Sequence, residues 1–199
     1  MKSLSANLAA FVTTLMITLV STVSAQEAFN VIEAENSSGA MGVTIPKIAS
    51  EDPAVARGEY FVTLLGCASC HTDGALLGTP NTKLTLAGSS VGIAYLDPTK
   101  DGPPGVLFPP NLTPDNETGI GTWSEDEIIK MLLEGEGRHG PTPVVMPWVT
   151  YSNLHRDDAV AIARYLKSLE PVRHPVPSRV AQGSETDAPL VYVGLYRGQ

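Results

Sequence analysis

Five consecutive residues, Cys67-Ala68-Ser69-Cys70-His71, constrain this chain more than any other stretch. Two thiols three residues apart at a helix end reach the two vinyl groups on one edge of a porphyrin. The residue that follows, His71, then lies beneath the ring, where its imidazole ligates the iron. Two other readings compete. A redox dithiol uses the same C-x-x-C spacing, but it usually sits between a strand and a helix and does not need the adjacent histidine. A zinc site needs further soft ligands, and Cys67 and Cys70 are the only two cysteines in the chain. The motif therefore points to one covalently attached haem c and its iron.

The first 25 residues have the pattern of a secretory signal: Lys2, an apolar run from Leu8 to Val20, and the small-residue site Val23-Ser24-Ala25. Cleavage there leaves Gln26 as the first mature residue and removes the charge of Lys2, taking the net charge from −8 to −9. The apolar run is short for a membrane span and contains Thr13, Thr14 and Thr18, so no stable span is expected after cleavage, although retention as an anchor is the alternative. A chain exported to a bacterial periplasm must receive its haem before the thiols oxidise. The acidic balance argues against nucleic acid and suits docking on basic surfaces. Residues 26–51 read as a flexible leader that clasps the surface through Val43 to Ile48, and 173–199 as a surface tail with a strand at Leu190 to Tyr196.

Between these ends the helices announce themselves by their caps. Asp52-Pro53 opens the first helix, with Tyr60, Phe61, Leu64 and Leu65 at helical spacing. Gly58, on the face of Phe61, reads as a notch for close packing, with Tyr165 as its partner, and Gly66 ends the helix just before Cys67. Ser124 and Glu127 form a capping box with Trp123 and Ile128 as a staple. They start a helix whose stripe is Ile128, Ile129, Leu132 and Leu133. A last helix runs from about His155 to Leu169, with Ile162, Tyr165, Leu166 and Leu169 on its apolar face. Lys167, near its C-terminal end, suits the helix dipole.

Residues 72–122 show no helical period and hold eight Gly and seven Pro. A loop this long in a compact domain is functional or disordered, and a haem has faces to cover. Leu84, Leu86, Val91, Ile93 and Leu107 either face the porphyrin or form a short hairpin. Pro110, in Pro109-Pro110-Asn111-Leu112, is either an ordinary turn proline or the carbonyl that accepts from the second ring nitrogen of His71.

The rigid segment Gly140 to Trp148 carries Met146 ahead of Pro147, placed to hold a thioether against iron. Met146 is the candidate sixth ligand, with His71 the fifth. Met1 and Met16 leave with the signal, Met41 lies in the leader and Met131 packs from a helix. The competing ligands are His139, His155 and His174.

Arg57-Gly58-Glu59-Tyr60, the run from Asn111-Leu112-Thr113-Pro114-Asp115 through Glu117 to Trp123-Ser124, Met146-Pro147, and Ala163-Arg164-Tyr165-Leu166 with Leu169-Glu170-Pro171-Val172 carry a further likeness. Over about residues 52–172 the chain resembles a class I cytochrome c. It is similar in particular to one domain of the cytochrome c subunits of periplasmic alcohol and gluconate dehydrogenases. Those subunits contain three such domains, where this chain has one haem motif. The resemblance implies an all-α fold of a few helices around one haem, thioethers at Cys67 and Cys70, and axial ligands His71 and Met146. It implies electron transfer between redox proteins, such as a periplasmic dehydrogenase or an oxidase, with no substrate chemistry of its own. The alternatives are a haem-based enzyme or ligand sensor with an open sixth position, and an interaction subunit whose loop and tail matter more than its potential.

Overall fold

The computed structural model describes residues 43–96, 104–138, 140–141 and 145–192. The signal segment, most of the leader and His139 lie outside the described residues.

Helix α1 is Pro53–Leu64. The Asp52 carboxylate caps it by accepting from the Ala54 amide at 2.9 Å, and Pro53 takes the first helical position. Helix α5 is Arg156–Ser168, and it crosses α1 at Gly58. A Cβ at Gly58 would lie 2.6 Å from Tyr165 Cβ and would collide with the Ala161 carbonyl. Only glycine lets the two backbones come so close. The expected pairing of Gly58 with Tyr165 is thus what joins the helices. The buried Tyr165 hydroxyl donates to the Pro46 carbonyl at 2.6 Å, which draws Val43 and Ile45 into the core.

The apolar face of α1 differs from expectation. Tyr60 and Leu64 are each 61% exposed. The buried residues are Val55, Gly58 and Val62, with Phe61 and Leu65 packed at the edge of the core. The glycine notch fixes which side of the helix meets α5. Positions three and four residues from it follow it inward, while 60 and 64 turn to solvent.

Helix α2 is Cys67–His71 and α3 is Glu125–Glu134. The capping box at the start of α3 is complete: Glu127 N donates to Ser124 Oγ at 3.2 Å, and Ser124 N to Glu127 Oε2 at 2.8 Å. Ile128, Ile129 and Leu132 are buried against α5. Gly135 ends the helix at φ 71°, with the Trp148 ring against its Cα. A short helix α4, Trp148–Tyr151, then leads to α5.

The all-α expectation needs correction, because a small sheet stands beside the helices. Strand β1 (Gly92–Tyr95) pairs antiparallel with β2 (Gly105–Leu107), placing Ile93 opposite Leu107. It also pairs parallel with β5 (Leu190–Val191) from the far end of the chain. A two-residue ribbon, β3 (Glu136–Gly137) with β4 (Gly140–Pro141), follows α3. The hairpin is one of the two readings that the long loop allows. The third strand falls at the start of the expected Leu190 to Tyr196 strand; its partner, nearly a hundred residues earlier, is what no local pattern shows.

After α5 the chain runs back across the long loop. Val180 exchanges both backbone hydrogen bonds with Val106, each 2.9 Å. The Arg179 guanidinium stacks 5.0 Å from the centre of the Tyr95 ring.

Candidate haem-binding site

The site is built from a local helix and walls drawn from distant parts of the chain. Gly66, at φ 67°, turns the backbone out of α1 and straight into α2. Cys67 and Cys70 are unpaired and partly buried on this single turn. Burial pushes the Cys67 thiol up to about 12, against a lowering backbone hydrogen bond. A redox dithiol attacks as a thiolate near neutral pH, so Cys67 is poorly suited to that role. Among the described residues no cluster of His, Cys, Asp and Glu is placed to hold a bare metal ion.

His71 is buried, and its Nδ1 lies 2.8 Å from the Pro110 carbonyl oxygen. A carbonyl only accepts, so the ring proton sits on Nδ1 and Nε2 keeps its lone pair. Burial lowers the imidazole pKa, and the Pro110 carbonyl opposes that only in part. The neutral tautomer with Nε2 available is the form that ligates iron. Pro110 is therefore the acceptor, not an ordinary turn proline.

Two segments wall the histidine. The Gly88 amide donates to the His71 carbonyl at 2.9 Å, Leu112 N to Leu86 O at 2.8 Å, and Ser89 N to Pro109 O at 3.0 Å. Thr72 Oγ1 accepts from Leu86 N at 3.1 Å. Leu86 is fully buried at φ 60°, the sole non-glycine residue with positive φ among the described residues. That conformation costs about 1–2 kcal/mol and persists because Thr72 and Leu112 hold it from both sides.

Met146 is partly buried against the hydrophobic core. Its carbonyl accepts from the Trp148 amide at 2.7 Å, which starts α4. The buried Tyr151 hydroxyl, at the end of α4, donates to Leu65 O at 3.4 Å. The loop of Met146 is thereby tied to the end of α1, beside Cys67. Met131 packs against the core from α3, as expected. Of the competing histidines, His155 is exposed at the start of α5. His174 bonds the Ala87 carbonyl through Nδ1 at 2.9 Å, on the wall behind His71.

These residues fit a haem. The thiols are unpaired, no described residue hydrogen-bonds His71 Nε2, and a thioether stands in the neighbouring loop. The Trp148 indole N–H is buried without a hydrogen-bond partner among the described residues. A haem carries two carboxylates, the acceptor chemistry that this donor lacks. Two residues escape sequence reasoning. Asn111 is one: its buried carboxamide bonds Thr113 and Thr118 in its own loop and Val172 of the returning chain. Lys167 is the other. Its position suits the helix dipole, but its ammonium donates to the carbonyls of Ile120, Gly121 and Trp123 at 3.3, 2.7 and 3.0 Å.

Comparison with known proteins agrees with the geometry. The chain is 39% identical over 133 residues to the gluconate 2-dehydrogenase cytochrome c subunit of Pantoea cypripedii, covering 61% of this chain and 27% of that protein. It is 38% identical over 125 residues to the cytochrome c subunit of the quinone alcohol dehydrogenase of Gluconobacter oxydans (strain 621H), covering 61% and 25%. With the fructose dehydrogenase cytochrome subunit of Gluconobacter japonicus it shares 29% identity over 127 residues, covering 63% and 23%. The chain thus spans about a quarter of the length of these relatives. A family model described as cytochrome c matches residues 55–170, from α1 to the end of α5, so this chain belongs to the cytochrome c family, whose cofactor is covalently bound haem c with its iron.

Proposed function

We propose that this chain is a one-electron carrier with a single haem c, attached through Cys67 and Cys70 and ligated by His71 and Met146. The observation that carries the reading is the 2.8 Å contact between His71 Nδ1 and Pro110 O, which leaves Nε2 free and aims a neutral imidazole. The bound haem supplies one-electron redox chemistry. The protein's own residues hold it and keep water out. Cys67 and Cys70 would hold it covalently, and His71 and Met146 would ligate its iron and leave no position for a substrate. The buried Leu86, Leu112 and Tyr151 keep the surroundings apolar, which favours a high potential.

The relatives named above include cytochrome subunits of gluconate and alcohol dehydrogenases. They support a dehydrogenase as electron donor, and the reading takes a respiratory protein as acceptor. The acidic net charge of −8 favours basic docking faces on both. No helix among the described residues is long and apolar enough to cross a membrane. The signal-like first 25 residues support export to the periplasm.

The test is spectroscopic. The reduced protein should show a low-spin, six-coordinate haem that does not bind carbon monoxide. Met146→Ala should open the iron to carbon monoxide and lower the midpoint potential. Ready carbon monoxide binding by the unaltered protein would mean an open site and a sensor or enzyme. An unchanged spectrum in Met146→Ala would reject that residue as ligand.

A further inference from the structure

We propose that the segment 172–174 is a clamp for the proximal histidine, with Asn111 and His174 as its positioning residues, and that it tunes the potential of the iron. The inference rests on His71 being the iron ligand, as proposed above. It assigns a role to chain that follows the last helix and that reads, in sequence, as a tail.

Asn111 is 1% exposed. A carboxamide that deep must have its hydrogen bonds made, and each partner is a protein group. Its Oδ1 accepts from the Thr113 amide at 2.9 Å and from Thr113 Oγ1 at 2.8 Å. Its Nδ2 donates to Thr118 Oγ1 at 3.1 Å and to the Val172 carbonyl at 2.7 Å. The Val172 amide in turn donates to Thr113 Oγ1 at 3.0 Å. One residue of the returning chain is thus gripped by both its backbone groups, its carbonyl by the side chain of the residue directly after Pro110, whose own carbonyl holds the His71 ring.

Two residues further on there is a second grip. The His174 amide donates to Thr118 Oγ1 at 3.0 Å, and its ring Nδ1–H to the Ala87 carbonyl at 2.9 Å. The residue after Ala87, Gly88, donates to the His71 carbonyl. Gly88 has φ 90°, and a Cβ there would stand 2.6 Å from Val176 Cγ1 and 2.8 Å from the Asn111 amide nitrogen. The returning chain presses on this wall so closely that only glycine fits. His71 is therefore held at its ring through Pro110 and at its backbone through Gly88, and one short segment fastens both holders. A firm Nδ1–H···O=C bond raises the basicity of a ligating imidazole, which favours the oxidised iron and lowers the potential.

The test uses the holoprotein. His174→Leu and Asn111→Ala should each shift the midpoint potential upward and speed exchange of the His71 Nδ1 proton, read by NMR, while the haem stays low-spin and six-coordinate. His174→Asn, whose carboxamide places a donor where Nδ1–H stood, should restore both quantities toward those of the unaltered protein. Potentials and exchange unchanged in both His174→Leu and Asn111→Ala would overturn the clamp. So would a potential shift in His174→Leu that His174→Asn fails to reverse. His174 lies at the half-buried strap, so its variants remain informative if Asn111→Ala does not fold. The underlying reading fails differently: the unaltered protein would then lack a His71-ligated haem spectrum.

Discussion

Gly58→Ala tests the crossing on which the helical part of this fold depends. Two effects oppose each other. Alanine is favoured over glycine inside a helix by about 1 kcal/mol. Against that, the new methyl would sit 2.6 Å from Tyr165 Cβ and would overlap the Ala161 carbonyl oxygen. Both obstacles lie at or near the backbone, so no side-chain rotation relieves them and the helices must separate. Overpacking of this kind costs about 1–3 kcal/mol. Separation also strains the 2.6 Å bond from the Tyr165 hydroxyl to Pro46, which is worth about 1 kcal/mol, and loosens Val43 and Ile45. The balance is a net loss of about 1–3 kcal/mol, or roughly 2–12 °C in Tm at about 2–4 °C per kcal/mol for a domain of this size. Gly78→Ala is the matched control. Gly78 has φ 74° with nothing within 4 Å of the added methyl, so it tests backbone strain without a clash. Urea unfolding of the holoprotein, followed by far-ultraviolet circular dichroism, measures both. A Gly58→Ala protein as stable as the unaltered one would refute the close crossing, since the propensity gain would then be all that remained.

Two further outcomes follow from charged groups. The Arg138 guanidinium, with help from the Ser124 amide, holds the Glu127 carboxyl down at about 2, against an ordinary 4.5. A depressed carboxylate stabilises the fold above its unfolded pKa and stops doing so as pH falls through the folded one. The Tm advantage over Glu127→Gln should therefore be constant above about pH 5.5 and should shrink between about pH 4.5 and 2; a difference independent of pH would reject the ion pair as its source. Lys167→Met strands three carbonyls that share one ammonium and should cost about 1–3 kcal/mol in urea unfolding, whereas a neutral result would show that water replaces the ammonium freely.

The parts of the molecule legible in the sequence are those whose cause is local. The Asp52 and Ser124 caps, the Gly66 stop and the C-x-x-C-H turn each depend on residues within a few positions of one another. The Gly58–Tyr165 pairing is legible because a small residue inside a helix needs a large partner. Orientation is not. Tyr60 and Leu64 have the spacing of a buried stripe, but the direction from which α5 arrives decides which face is covered. The strands are legible as a possible hairpin and a possible strand near the end, but their union into one sheet is not, since β5 reaches β1 from the end of the chain and its bonds are backbone bonds that any sequence can make. The same holds for Val172, gripped through its amide and carbonyl. Nothing in its side chain marks it. Pro110 stands between two readings until the distance to His71 decides it.

Leu86 has a consequence for the tolerance of this chain to change. At φ 60° the backbone prefers glycine or asparagine, while full burial in the core prefers a large aliphatic side chain. Alanine keeps the strain and adds a cavity. Glycine relieves the strain but leaves a larger void. Asparagine suits the dihedral angle and buries an amide in apolar surroundings. Valine and isoleucine fill space but branch at Cβ, where a left-handed backbone is least forgiving. Each requirement vetoes the residues that the other would accept, so the wall beside His71 rests on a position with almost no neutral neighbours in sequence space.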